Sequence, residues 1–269
     1  MNKKIFLFAL MIFTLSLNDV NAQSVCDSKY TPEIIASLQQ NMDPADLDLS
    51  CSNGTPYTDE YLNSINELKE KLDKITIIQP RYFVNKLNVQ SFQQENQSYC
   101  GPANVKQVLH YINNTSLSQS QYANDMTNSS GNFAYVYQIR DTLNKYLPSN
   151  DAYTYIPRTE LTQSQFYKII NANINNRRPL ILHANTGSLY MYNGHKTGHY
   201  ITISGHTITG IINNDYSPIN IYYVNTDYLN YGRGNVYGEF MDKFNNVYNA
   251  LNPMYSGDVR YLIYNKNSI

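Results

Sequence analysis

The apolar residues of this 269-residue chain change period part-way along it, and that change limits the fold more than any other feature. Up to about residue 175 they recur at helical spacing, as in Val105, Val108, Leu109 and Ile112, which stand at i, i+3, i+4 and i+7 behind Cys100. Further helices are predicted over residues 58–74, 118–126, 135–147 and 162–175, with one near the start that Thr31 and Pro32 would open and that would run to about Gln40. From residue 180 onward short β-rich runs take over, at 180–183, 199–204, 207–212, 219–225 and 259–264, with a last helix expected over 239–251. Helices first and an antiparallel sheet after them predict an α+β fold.

The first 22 residues read as a secretory signal. Lys3 and Lys4 precede an apolar run from Ile5 to Leu17, and Val20-Asn21-Ala22 supplies small residues for cleavage before Gln23. A secreted or periplasmic protein is therefore expected. No later stretch approaches the roughly 18 apolar residues of a membrane span, so no membrane insertion is expected after signal removal. The formal net charge is −1 and the basic residues are scattered, which removes the footprint of a nucleic-acid binder. Only 15 % of residues are charged while 26 are tyrosine, so solubility must rest on neutral polar groups, and a monomer is expected. The expected organisation is a signal at 1–22, an N-terminal helical extension or pro-segment at 23–85, and a catalytic domain at 86–269.

Three cysteines are an odd number for an exported chain. Cys26 and Cys51 lie near the mature N-terminus and could form a disulfide with each other, which leaves Cys100 as a thiol. Cys100 stands at the predicted start of a helix, where the dipole lowers a thiol pKa and favours the nucleophilic thiolate. Pro102 suits the first helical turn, and Gly101 would leave the approach of a substrate carbonyl clear of a side chain. Gln94, six residues upstream, is close enough for its amide to be aimed beside the Cys100 backbone N–H, giving two donors for an oxyanion. A small buried core cysteine is the alternative reading of the same residue.

Gln94 together with Cys100-Gly101-Pro102-Ala103 and the helix behind them resembles papain-like cysteine peptidases of the bacteriocin-leader-processing, double-glycine type, over roughly residues 85 to 267. The resemblance implies a papain-like fold, a peptide or protein substrate and no cofactor. It also implies a histidine base at the start of a later strand and an Asp or Asn at the end of the next one. His199, in Gly198-His199-Tyr200-Ile201, matches the base, and Asp227 matches the orienting aspartate, although Tyr228 replaces the usual proline. Asn225 is the rival, two residues earlier and on the same strand face.

Of the other histidines, His206 would lie about 23 Å from His199 along one strand. His110 would lie about 15 Å along the cysteine helix. His195 could edge the cleft, and His183 closes a strand and reads as packed. The His195 and His199 spacing invites a zinc reading, but Gly194 and Gly198 disfavour a helix presenting both rings, so no metal is expected. Two other functions fit the same residues, a papain-fold acyltransferase or protein glutamine deamidase, and a non-catalytic secreted binding protein using its tyrosine-rich surface.

Overall fold

The computed structural model describes residues 59–76, 82–126, 134–209, 215–255 and 258–269. The secretory signal, the helix expected near Thr31 and the Cys26–Cys51 pair lie outside the described residues. In chain order the elements are α1 (Asp59–Lys74), β1 (Phe83–Lys86), α2 (Cys100–Asn113), α3 (Gln119–Asp125), α4 (Val136–Tyr146), β2 (Tyr153–Pro157), α5 (Gln163–Asn175), β3 (Leu180–Asn185), β4 (Gly198–Ile208), β5 (Ile219–Asn225), β6 (Gly238–Lys243), α6 (Phe244–Asn249) and β7 (Tyr261–Asn265).

The strands form one antiparallel sheet in the order β2-β7-β3-β4-β5-β6, with β1 continuing the edge of β4 beyond β3. Register assigns each face. Ile181 lies across from Ile263 and Thr202, while Leu182 lies across from Leu262 and Ile201. Ile181, Tyr200, Tyr261 and Ile263 pack with Cys100, Val105, Val108, Leu109, Ile139 and Leu143 from α2 and α4. Leu182, Ile201, Ile203, Ile221 and Leu262 pack on the other side with Phe166, Ile170 and Phe244 from α5 and α6. The sheet is thus a partition between two apolar layers, and β3 and β4 are buried along their whole length.

Helix starts follow local chemistry. Ser118 and Gln121 form a reciprocal capping box at α3, and Thr162 and Gln165 form another at α5. The apolar stripe of α1 docks on α5, burying Ile65, Leu68 and Leu72, while Leu62 falls off the stripe and is exposed.

Three expectations are corrected. The strands expected at 199–204 and 207–212 are one strand, because Ser204-Gly205 forms a bulge in the pairing with β5 rather than a turn. Gly205 is required there by proximity: a Cβ would lie 2.5 Å from the Asn85 carbonyl oxygen of β1. The helix expected over 239–251 is split, since Gly238–Lys243 pairs with β5 as an edge strand and only Phe244–Asn249 is helical. Finally, β1 and β2 sit among the helices, where no strand was expected, so helices and strands are less segregated than their periods suggest.

Candidate active site

α2 begins at Cys100, a thiol outside any disulfide and 2 % exposed. No side-chain hydrogen bond caps this helix start and its first turn holds no acidic residue, so the helix itself leaves the positive end of its dipole beside the sulfur. Pro102 occupies the first turn, where its missing N–H costs nothing. The reading of Gly101 is corrected. A Cβ there would lie 2.5 Å from the Ala134 Cβ, so the glycine admits a packed neighbour rather than a substrate.

One turn into α2, Asn104 is fully buried and couples the helix to β4. Its Nδ2 donates to the carbonyl of Cys100 and to that of Tyr200, both at 2.8 Å, while its Oδ1 accepts from Thr202 at 2.6 Å. A single amide therefore ties the backbone of the thiol residue to the residue following His199. Sequence reading missed Asn104, although a polar residue on the apolar stripe, four after Cys100, is a visible signal.

His199 opens β4, across from Ala184 on β3. Its Nε2 lies 2.8 Å from Asn225 Oδ1. Because a carboxamide oxygen only accepts, the contact assigns the ring hydrogen to Nε2. The preference for Asp227 as the partner of His199 is corrected by this geometry. β5 ends at Asn225, which pairs with Ile201 and so stands diagonally beside His199 on one face. Beyond it the chain turns, and Asp227 Oδ1 accepts from the Leu229 N–H at 3.0 Å, an Asx turn that carries the carboxylate away from the ring. Asp227 Oδ2 accepts instead from the hydroxyls of Tyr192 at 3.2 Å and Tyr231 at 3.1 Å.

Gln94 reaches the same locality by two anchors on the chain before α2. Leu87 N–H bonds to Ser204 O at 2.7 Å, and Gln94 N–H to Thr226 O at 2.9 Å, so the segment runs from the far end of β4 to the end of β5. The Gln94 side chain is buried, its Oε1 accepts from Thr226 Oγ1 at 3.2 Å, and that hydroxyl lies 3.5 Å from His199 Nε2. Thr226 and Tyr192 were not singled out from sequence. Tyr192 lies in a tyrosine-rich loop that offers no spacing signal, and its hydroxyl accepts from Asn225 Nδ2 at 2.9 Å. Burial, with the Asp227 charge adding to it, holds the Tyr192 phenol well above the ordinary range.

The remaining histidines are elsewhere engaged. His195 stacks on Tyr231 with ring centres 4.4 Å apart, at the edge of this cluster rather than beside His199. His183 meets Arg260 at 2.8 Å and stacks on Tyr200. His110 packs edge-on against Phe92, and His206 lies among Tyr167 and Phe83 at the far end of β4. Among the described residues no group of three or more His, Cys, Asp or Glu side chains could hold a metal ion.

Residues 86–255, more than half of the chain, match the sequence profile of the Peptidase_C39 like family. The chain belongs to that family. It is accordingly a cysteine-type peptidase, and its helices and antiparallel sheet make an α+β fold. Among solved structures it is similar to a double glycine motif protease from an AMS/PCAT transporter, solved with the leader peptide. That match has a TM-score of 0.37 and 11 % identity and covers 68 % of this chain and 95 % of that one. It is also similar to UfSP from C. elegans (TM-score 0.42, 11 % identity, 71 % of this chain and 35 % of that one). Bromelain from Ananas comosus, in complex with the E64 inhibitor, aligns with a TM-score of 0.38 and 12 % identity over 68 % of this chain and 98 % of that one. No curated protein matches the chain.

Proposed function

We propose that this Peptidase_C39 like family member is an exported peptidase that hydrolyses peptide bonds through Cys100, His199 and Asn225, with Gln94 supporting the oxyanion. The observation that carries the reading is the His199–Asn225 contact of 2.8 Å on a strand that Asn104 ties to the Cys100 backbone. With its hydrogen on Nε2 toward Asn225, the neutral ring leaves Nδ1 to take the thiol proton.

The thiolate, favoured by the helix start, attacks the substrate carbonyl carbon, and the electron pair of the C=O moves onto oxygen. The Cys100 backbone N–H and the Gln94 carboxamide are the donors for that oxyanion. Collapse expels the amine, which takes its proton from the imidazolium, and leaves a thioester on Cys100. His199 then removes a proton from water as it attacks the thioester, and the carboxylic acid departs as the thiol is restored.

The asparagine suits this cycle. Its oxygen fixes the ring orientation without adding a full negative charge beside the imidazole, so the proton is not held too tightly to be returned. The apolar run behind Lys3 and Lys4 supports export, which N-terminal sequencing of the protein from culture medium would test by a start near Gln23.

The activity test is Cys100→Ala against the unaltered chain, with a mixed peptide library and a small thiol-directed electrophile. New peptide termini and labelling at Cys100 are expected from the unaltered chain only. Equal cleavage by both proteins would refute the assignment, and ammonia release without new termini would select glutamine deamidation instead.

A further inference from the structure

We propose that Tyr192 and Asp227 are positioning residues for the His199 imidazole, acting through the Asn225 side chain; this deepens the peptidase reading of the same site. Four side chains make one directional run. His199 Nε2–H donates to Asn225 Oδ1 at 2.8 Å, Asn225 Nδ2–H donates to the Tyr192 oxygen at 2.9 Å, and the Tyr192 hydroxyl donates to Asp227 Oδ2 at 3.2 Å.

Each link constrains the next. A carboxylate accepts only, so Asp227 claims the one hydrogen of the Tyr192 hydroxyl. The phenolic oxygen is then left as an acceptor and must face the NH₂ end of Asn225 rather than its oxygen. That choice turns Oδ1 toward His199, and the Asp227 backbone N–H supports it from the other side at 3.3 Å. The imidazole thus meets an acceptor that cannot flip without breaking two further bonds. The run ends on a charge, so every dipole in it is aligned to favour an imidazolium at His199.

The surroundings keep the run intact. Tyr192 and Asn225 are fully buried and Asp227 is 4 % exposed, so water does not compete for these groups. Tyr192 lies flat against Tyr231, which stacks in turn on His195, and this aromatic stack closes the outer side. The groups facing Asp227 are the Tyr192 and Tyr231 hydroxyls and the Leu229 amide, with His195 one ring further out. Burial keeps both phenols protonated through neutral pH, so they remain donors.

Asp227 therefore contributes to the His199 environment without touching it. The carboxylate that the leader-processing resemblance assigns to the ring sits two side chains away, and an amide and a phenol transmit its effect.

Two variants of the full secreted chain test this. Tyr192→Phe removes the middle link. Asp227→Asn removes the charge yet keeps an oxygen that can accept from Leu229 N–H, so the turn is retained. The reading is the rate of Cys100 alkylation by iodoacetamide, followed on the Cys100 peptide by mass spectrometry from about pH 4 to about pH 9, since only the thiolate reacts. Weaker support for the imidazolium weakens the thiolate paired with it, so both variants should move the acid limb up by about one unit, a tenfold loss of rate at its foot. Peptide hydrolysis should show a kcat lower by about tenfold with KM changed less than about twofold.

A purely structural role for the two residues would lower the melting temperature and leave the acid limb where it is. Folded variants with an unshifted limb overturn the proposal. A shifted limb in a chain that cleaves no peptide sustains the proposal and removes the peptidase reading instead.

Discussion

β4 carries two histidines, and their surroundings differ as far as two buried sites on one strand can. His199 sits among an amide, two hydroxyl-bearing side chains and a carboxamide, all within one hydrogen-bonded cluster. His206, fully buried, is boxed by aromatic rings. Tyr167 meets it edge-on at 5.5 Å and Phe83 tilted at 5.8 Å, its Nδ1 is a long 3.4 Å from the Tyr167 hydroxyl, and among the described residues its Nε2 has no hydrogen-bond partner. Burial alone pushes the His206 pKa down to about 4. Residue type, strand and burial are shared, so the supply of polar partners is what separates the ring proposed as the base from one held neutral.

Exchanging the fates of the two rings is the most severe test of that contrast. His199→Ala should lower kcat for peptide hydrolysis by about a thousandfold, within the range that loss of a general acid–base brings. His206→Phe should leave kcat/KM within about twofold, because the site lies at the opposite end of β4. Activity surviving in the first variant and lost in a folded second variant would reverse the assignment of the base.

Stability against pH probes the neutral ring directly. The folded pKa of about 4 lies below the ordinary 6.5, so between those values the unfolded chain binds more protons than the folded one. Stability is therefore full above about pH 6.5, falls as pH drops, and has lost about 3 kcal/mol from this group below about pH 4. Urea midpoints at about pH 7.5 and about pH 4.5 should separate more widely in the unaltered protein than in His206→Phe, which lacks the titrating group. Equal separation in both would mean that other groups set the acid limb.

This contrast was only half legible in the sequence. The distance between the two histidines follows from strand rise, and Gly198-His199 beside Gln94 and Cys100 singles out the near one. The α+β class and most helix positions were readable too, because the apolar period shows in residues such as Ile139 and Leu143 that face a core. What stayed hidden depends on where strands stop. Asn225 and Asp227 share a face in any extended reading, and only the Asx turn at Asp227 decides between them. The need for glycine at 205, beside the bulge, likewise comes from close approach of β1, a contact between residues more than a hundred positions apart. Tyr192 was hidden by abundance, since one tyrosine among 26 carries no signal until its hydroxyl is placed.

Asn104 links the polar end of β4 to the thiol, and its removal should sharpen the comparison by loosening one histidine site only. Asn104→Ala deprives the Tyr200 carbonyl and the Thr202 hydroxyl of a buried partner, at a cost of about 1 to 3 kcal/mol. Because the amide also holds the Cys100 backbone, alkylation of the thiol should slow while the acid-side stability loss attributed to His206 stays unchanged. Stability and alkylation rate both unaffected would show that α2 is held against β4 by apolar packing alone.

The smallest expected effect belongs to Tyr167→Phe, at the aromatic end. The hydroxyl makes a weak contact of 3.4 Å, and the ring retains its edge-on packing against His206 and against Phe244 without it. Stability should change by less than about 1 kcal/mol, and the pH at which His206 begins to destabilise the fold should not move, since desolvation by itself lowers that pKa. The matching substitution at the other end, Tyr192→Phe, removes a hydroxyl that both accepts from Asn225 and donates to Asp227. One phenol serves as packing and the other as a link between two polar groups, so the same chemical change should be nearly silent at residue 167 and measurable in the thiol profile at residue 192. A Tyr167→Phe variant whose acid midpoint shifted by a full unit would show that hydrogen bonding, rather than burial, sets the His206 charge state, and the distinction between the two ends of β4 would be lost.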